Sequence, residues 1–307
     1  MSVSEKTEKS AVARRHAIRR EVLSCVNASK KKLTPGALKR ALSERFSMGR
    51  REFKAVVRNL VSDRELMYTY HFGCSFIEKS FNKPTRISHR VVLKPQGMFF
   101  RPGVKDVVIR IQQGAAFGSG DHPTTRLAIQ GIETALLETD RLKKEHHSKA
   151  LDIGTGSGVL AIAAVLLGIK TARGIDIDPC ARAEAGKNIQ LNHLAHRISI
   201  HDHSILDIHD KFTLITANLR YPSLKRLCSH MARITEKNGA VVVSGIKIDE
   251  VSDLLNEFTR NRFKCVWKSF EKDWAGMVFV RWISTSGNRN SRFRDCFFEQ
   301  FPKICYH

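Results

Sequence analysis

Apolar residues recur along this chain with periods that change twice, and the changes divide it. From Ala11 to about Asn27, Ile18, Val22, Leu23 and Val26 stand at helical spacing. Thr34-Pro35 opens a second helix, with proline at the first helical position and Leu38, Leu42 and Phe46 along one face. Ser47 is set to cap a third helix running to about Arg64, whose apolar face is Phe53, Val56, Val57, Leu60 and Val61. The stretch from Leu66 to Phe81 shifts to two short strand-like runs around His71-Phe72-Gly73.

Three helices followed by a hairpin predict a winged helix-turn-helix unit over residues 11–82, after a disordered tail at 1–10. Residues 82–113 carry only brief runs, Val91–Leu93 and Val107–Ile111, and residues 83–113 are expected to be a linker or transition. A helix is expected from Thr124 to about Glu138. Strands then fall near 149–152, 172–176, 197–201, 212–218 and 239–245, with helices near 158–167, 179–192, 222–233 and 249–259. Such alternation predicts an α/β domain over 114–283, built on a parallel sheet with right-handed crossovers. Two closing strands near 263–270 and 277–283 make the last one antiparallel and the sheet seven-stranded. The tail, 284–307, has no period.

Charge changes the picture at the amino-terminal end. The 307-residue chain has a formal net charge of +22. Residues 1–95 hold 22 Lys and Arg against 8 Asp and Glu. The third helix would present Arg50, Arg51, Lys54 and Arg58, a face for RNA, DNA or another acidic partner. Seven cysteines without a C-x-x-C pair argue against a disulfide framework or zinc knuckle. The first residues lack an apolar signal core, and no apolar run reaches the roughly 18 residues of a membrane span. A cytoplasmic protein with no membrane contact is expected. His201 and His203 share a strand face, but surface histidines account for them and no metal site is expected.

The chemistry concentrates in Leu151 to Pro179, LDIGTGSGVLAIAAVLLGIKTARGIDIDP. A strand, a turn with Gly154, Gly156 and Gly158, a helix and a second strand ending at Asp176 make a unit for an adenosine-containing cofactor. Two readings share the spacing. Gly156-x-Gly158-x-x-Ala161 with Asp176 about 20 residues on fits a dinucleotide. Asp152-x-Gly-x-Gly-x-Gly is the signature of class I S-adenosylmethionine-dependent methyltransferases. Asp152 favours the second, because a carboxylate repels a pyrophosphate and suits a cationic ligand.

Two further segments narrow this. Gly114 to Arg126, GAAFGSGDHPTTR, ends in a helix start with free hydroxyls and N–H groups. Thr216 to Leu224, TANLRYPSL, contains Asn218-x-x-Tyr221, the spacing of the Asn-Pro-Pro-Tyr motif of amine methyltransferases. With Gly174-Ile-Asp176-Ile-Asp178-Pro179, Ser244-Gly245-Ile246 and Glu271-Lys-Asp-Trp274, the stretch 107–283 resembles the ribosomal protein L11 methyltransferase family. The resemblance implies a Rossmann-like class I fold, S-adenosylmethionine as cofactor and N-methylation of a protein amine, lysine or N-terminal, on a ribosomal protein. Alternatives are N-methylation of an RNA or DNA base, using the winged helix to bind nucleic acid, and a winged-helix protein that senses the cofactor. The expected cofactor set is Phe117, Thr125, Asp152, Gly154, Gly156, Gly158, Asp176 and Asn218. Asn218 and Tyr221 form the expected catalytic pair, with aromatic rings such as Trp274 available to hold a cationic group. Asp121 stands where the family has Thr, Arg220-Tyr221 replaces small residues, and the basic amino-terminal unit departs from the family.

Overall fold

The computed structural model describes residues 3–29, 31–43, 45–71, 73–80, 82–112, 122–138 and 147–282. Helix α1 (Val3–Ala28) begins well before Ala11, so residues 3–10 are helical backbone rather than the expected disordered tail. Helices α2 (Pro35–Ser43) and α3 (Arg50–Ser62) follow. Thr34 caps α2, its hydroxyl accepting from Ala37 N at 3.2 Å. Gly49, not Ser47, is the N-cap of α3. Strands β1 (Leu66–His71) and β2 (Cys74–Lys79) pair antiparallel, Leu66 opposite Lys79 and His71 opposite Cys74. An isolated bridge from Leu33 to Ile77 ties the α1–α2 connection to this hairpin. The unit has its own core of Ile18, Val22, Leu38, Leu42 and Leu60, closed by Leu66 and Ile77.

Residues 83–113 are more than a linker. Strand β3 (Thr85–Arg86) lies antiparallel to β4 (Val91–Pro95), which pairs parallel with β5 (Val107–Ile111). Ile87, Val91, Leu93, Ile109 and Ile111 enter the core of the α/β domain. Two buried asparagines fasten the edge of this sheet. Asn192 accepts from Arg110 N at 2.8 Å and donates to Arg110 O at 2.7 Å. Asn188 accepts from Gln112 N at 2.9 Å and donates to Ser157 O at 2.9 Å. These bonds span about 80 positions of chain, as the partners' numbers show, and nothing local in the sequence announces them.

Strands β6 (Lys149–Ile153), β7 (Thr171–Ile175), β8 (Ile198–His201), β9 (Phe212–Asn218), β10 (Thr235–Lys247), β11 (Phe263–Glu271) and β12 (Trp274–Arg281) form one sheet. Its order is β11-β12-β10-β9-β6-β7-β8. The first five are parallel, and β12 runs antiparallel to both neighbours, as expected. Side chains alternate between two cores. Ala150, Leu214, Val242 and Val278 face the layer of α4 (Pro123–Glu133), α5 (Val159–Leu166) and α6 (Pro179–Leu191). Leu151, Ile215, Val241 and Phe279 face α7 (Tyr221–Ile234) and α8 (Val251–Arg260). Strand β12 starts at Trp274, earlier than expected, because Lys272-Asp273 alone make the turn, with Lys272 at φ 54°. Among the described residues no helix is long and apolar enough to cross a membrane. Strand order reverses between β6 and β9, and the carboxyl ends flanking such a switch point are where open α/β sheets bind ligands.

If the β3–β5 sheet is integral to the domain, Asn192→Ala strands both polar groups of Arg110. The expected loss is about 1–3 kcal/mol of unfolding free energy, measured by urea denaturation. A loss within error would show that the sheet is only loosely attached.

Candidate active site

At the switch point, the Asp152 side chain lies beneath the glycine turn and is 1% exposed. Its Oδ2 accepts from the Thr155 hydroxyl at 2.6 Å and its Oδ1 from the Thr216 hydroxyl at 2.7 Å. Burial pushes the carboxyl above the ordinary carboxylate range, against the opposing pull of the bonds from Thr155, Thr216 and the Ala161 N–H. The carboxylate thus braces the turn from inside and offers no exposed charge to a ligand. The electrostatic reason for preferring one cofactor over another through Asp152 is therefore removed.

Above it, Gly154 N and Thr155 N donate to Ile175 O at 2.9 and 3.0 Å, joining the turn to the end of β7. Gly154, Gly156 and Gly158 all have positive φ, at 68°, 54° and 79°. Asp176 faces the turn. Its Oδ2 accepts from Gly156 N at 2.9 Å and its Oδ1 from Asp178 N at 3.0 Å. Each oxygen keeps a further lone pair, and the residue is half-exposed. Asp178 caps α6 by accepting from Cys180 N at 2.8 Å.

The third side of the site is the end of β9. Asn218 stands in register with Ser244 of β10, and Leu219 N donates to Ser244 O at 3.1 Å. A Cβ on Gly245, at φ 90°, would lie 2.3 Å from Leu219 O, and one on Gly154 would lie 2.6 Å from Leu219 Cδ2. Leu219 therefore sits against both loops with no room for a side chain on either glycine. This fixes Asn218, whose Oδ1 is buried and has no hydrogen-bond partner among the described residues.

The start of α4 closes the fourth side. His122 caps the helix, its Nδ1 3.3 Å from Thr124 N and 2.8 Å from Thr124 Oγ1. Its ring meets Trp274 edge-on at 5.0 Å. Arg126 forks onto Glu271, with Nε at 3.0 and 3.1 Å from the two carboxylate oxygens, which ties α4 to the β11–β12 turn. Thr125 is fully buried, and its hydroxyl has no partner among the described residues. Buried polar groups are nearly always satisfied. Two orphans, Thr125 Oγ1 and Asn218 Oδ1, beside a glycine turn and a half-exposed carboxylate, fit a polar ligand carrying hydroxyl and amine donors.

The model of the family described as ribosomal protein L11 methyltransferase (PrmA) matches residues 77–282. The chain belongs to this family. A ribosomal protein L11 methyltransferase of Geobacter sulfurreducens is 37% identical over 196 residues, 64% of this chain and 62% of that protein. One from Heliobacterium modesticaldum is 34% identical over 204 residues, 66% of this chain and 62% of that protein. The crystal structure of a ribosomal protein L11 methylase from Lactobacillus delbrueckii subsp. bulgaricus superposes with a TM-score of 0.58 at 31% identity, covering 65% of this chain and 98% of that one. The chain thus spans about three fifths of the length of the curated relatives it matches. The class I methyltransferase fold is the family's, and α1 to β1 lie outside the matched residues.

Of the expected site residues, Gly154, Gly156, Gly158, Asp176 and Asn218 gather around the strand ends, and Thr125 lies buried in the first turn of α4. Phe117 and Asp121 lie outside the described residues. Tyr221, expected as the second member of the catalytic pair, has its hydroxyl engaged within the protein. It donates to Asp253 on α8, and Lys225 Nζ lies 2.7 Å from the same carboxylate and 3.3 Å from the phenol oxygen. The face of Trp274, expected to hold a cationic group of the ligand, carries Lys247 Nζ at 3.8 Å. Sequence reasoning missed the Thr155 and Thr216 hydroxyls and the Arg126–Glu271 fork. Thr155 sits in the glycine motif and could have been found there. The others join residues far apart in the chain and leave no local signal.

Because the folded state binds the Asp152 proton more tightly than the unfolded state, this group's contribution to stability is complete below the unfolded pKa of about 3.9. It is lost as pH rises through the higher folded value. Asp152→Asn should therefore gain stability relative to the parent as pH rises from acid to neutral. Denaturation curves at a series of pH values test this, and a constant difference across the range would refute it.

Proposed function

We propose that this chain is an S-adenosylmethionine-dependent N-methyltransferase acting on an amine of a ribosomal protein, a lysine side chain or an N-terminus, in the cytoplasm. The observation that carries the reading is the buried, unpartnered Asn218 Oδ1, held at the strand ends by Leu219 against Gly154 and Gly245. The names of the relatives support the substrate class.

When bound, S-adenosylmethionine supplies an electrophilic methyl group on a sulfonium. The open lone pairs of Asp176 suit ribose hydroxyls, and the glycine turn lets backbone approach the ligand closely. The Thr125 hydroxyl is a second polar anchor. Asn218 Oδ1 accepts a hydrogen bond from the target amine and turns its lone pair toward the methyl carbon. A lysine of reference pKa about 10.4 must first be neutral, and desolvation at the site lowers that value. Placement rather than a strong base then sets the rate.

Base methylation has less support. It calls for a ring on which a flipped base can stack, yet Lys247 Nζ lies 3.8 Å from the centre of the Trp274 ring and Lys225 Nζ 5.8 Å from that of Tyr221.

Asn218→Ala should leave the cofactor Kd within a few-fold while methyl transfer falls about 100-fold or more, the scale of losing one oriented polar group at a reacting centre. Unchanged turnover would remove Asn218 from this role. Asp176→Ala should raise the cofactor Kd about 10- to 100-fold, or about 1.4–2.8 kcal/mol, by titration calorimetry. Radiolabelled methyl transfer into a ribosome-containing lysate tests the substrate class. Label in a ribosomal protein is expected, and label confined to RNA would overturn the reading.

A further inference from the structure

We propose that the exposed face of α3, together with the tyrosines of the β1–β2 hairpin, binds the phosphate backbone of a nucleic-acid duplex. The proposal rests on the functional reading above only in supposing that the substrate protein is met on nucleic acid.

The first observation concerns which charges are already neutralised. Among the described residues, Glu21, Glu52, Asp63 and Glu78 are each bound to a cation from another part of the same unit, and Glu65 to Lys83 just beyond it. The excess positive charge is therefore left on side chains without such a partner. On α3, Arg50, Arg51, Lys54 and Arg58 are all exposed, with no hydrogen bond or ion pair among the described residues. Their opposite face, Phe53, Val56, Val57 and Leu60, is buried in the core of the unit. The buried stripe fixes the rotation of the helix, so the cations point outward together. At 1.5 Å per residue they extend over about 12 Å of helix, enough to meet several successive phosphates of a duplex backbone.

The second observation is the hairpin. Tyr68 and Tyr70 alternate on one face of β1 and are 53% and 71% exposed. Only Asp63, Arg64 and Glu65 separate α3 from β1, and Glu65 N donates to Leu60 O at 2.8 Å, so helix and hairpin are held together. A phenol offers a hydroxyl to phosphate oxygens and a ring to sugar or base. A row of long cations on a straight helix follows a linear array of charge, which a nucleic-acid backbone has and a folded acidic protein lacks. The surface lies in residues 50–70, ahead of the segment shared with the L11 methyltransferases.

The experiment uses the full chain with a fluorescent 20-base-pair RNA duplex and a DNA duplex of matching sequence, by anisotropy over a range of salt. The parent should bind at least one duplex, and the more tightly bound of the two identifies the kind of nucleic acid. The quadruple variant Arg50→Ala, Arg51→Ala, Lys54→Ala, Arg58→Ala should lose at least tenfold in affinity, and its log–log salt slope should flatten by about 0.9 for each phosphate contact removed. The double variant Tyr68→Ala, Tyr70→Ala should weaken binding several-fold with the slope unchanged. Alanine at exposed helix positions preserves helix propensity, and a thermal melt checks folding. No duplex binding by the parent, or equal binding by the folded quadruple variant, would overturn the proposal. So would a quadruple variant that keeps duplex affinity but no longer methylates isolated ribosomal protein, since the face would then meet protein. Calorimetry with S-adenosylmethionine on the same samples separates the two readings. Duplex binding without cofactor binding would sink the methyltransferase assignment and leave this one standing.

Discussion

Leu219 holds the ligand end of this molecule together. It lies where the end of β9 passes between the glycine turn after β6 and the bulge of β10, and it fits because both neighbours lack a Cβ. Close approach of three strand ends is what brings Asn218, the glycine turn and, through Asp176, the end of β7 into one place. Packed interiors do not deform smoothly, so an added methyl group on either glycine must displace backbone or side chain at Leu219. The exposed order of the site thus depends on a contact that makes no polar bond to any ligand.

Polarity beneath and around this contact is divided between used and unused groups. Asp152 is fully occupied by two hydroxyls and works as an internal brace. Thr125 and Asn218, equally sheltered at their polar atoms, are left without partners among the described residues. A buried group without a partner costs free energy in the empty protein, and a ligand that satisfies it recovers that cost on binding. The same contrast recurs at larger scale. Among the described residues, the carboxylates of the amino-terminal unit are paired, and a row of cations on α3 is not. Unused capacity, more than total charge, marks the surfaces where this chain can meet something else.

Much of the architecture is legible in the amino-acid sequence, because the patterns that carry it are local. The strands and helices of the α/β domain follow from changes of hydrophobic period, and the antiparallel last strand from two closing strands in succession. Departures come where a short element relies on distant partners. The β3–β5 sheet has strands of two to five residues and is fastened by asparagines of α6 and the turn after it. The turn at Lys272-Asp273 lacks the glycine or asparagine that usually signals one, so β12 starts ahead of its expected position.

The sequence by itself determined the periods of the core, the glycine turn with Asp176 at the facing strand end, the position of Asn218 and the family. These are properties of neighbouring residues, and the backbone reads them directly. Only the tertiary structure decided which way the polar side chains turn. Asp152 goes inward to Thr155 and Thr216, Tyr221 goes across to Asp253, and Lys247 takes the face of Trp274. A carboxylate or phenol has the same chemistry in either direction. Its function depends on whether water or another side chain satisfies it, and that is set by elements that meet only when the sheet closes.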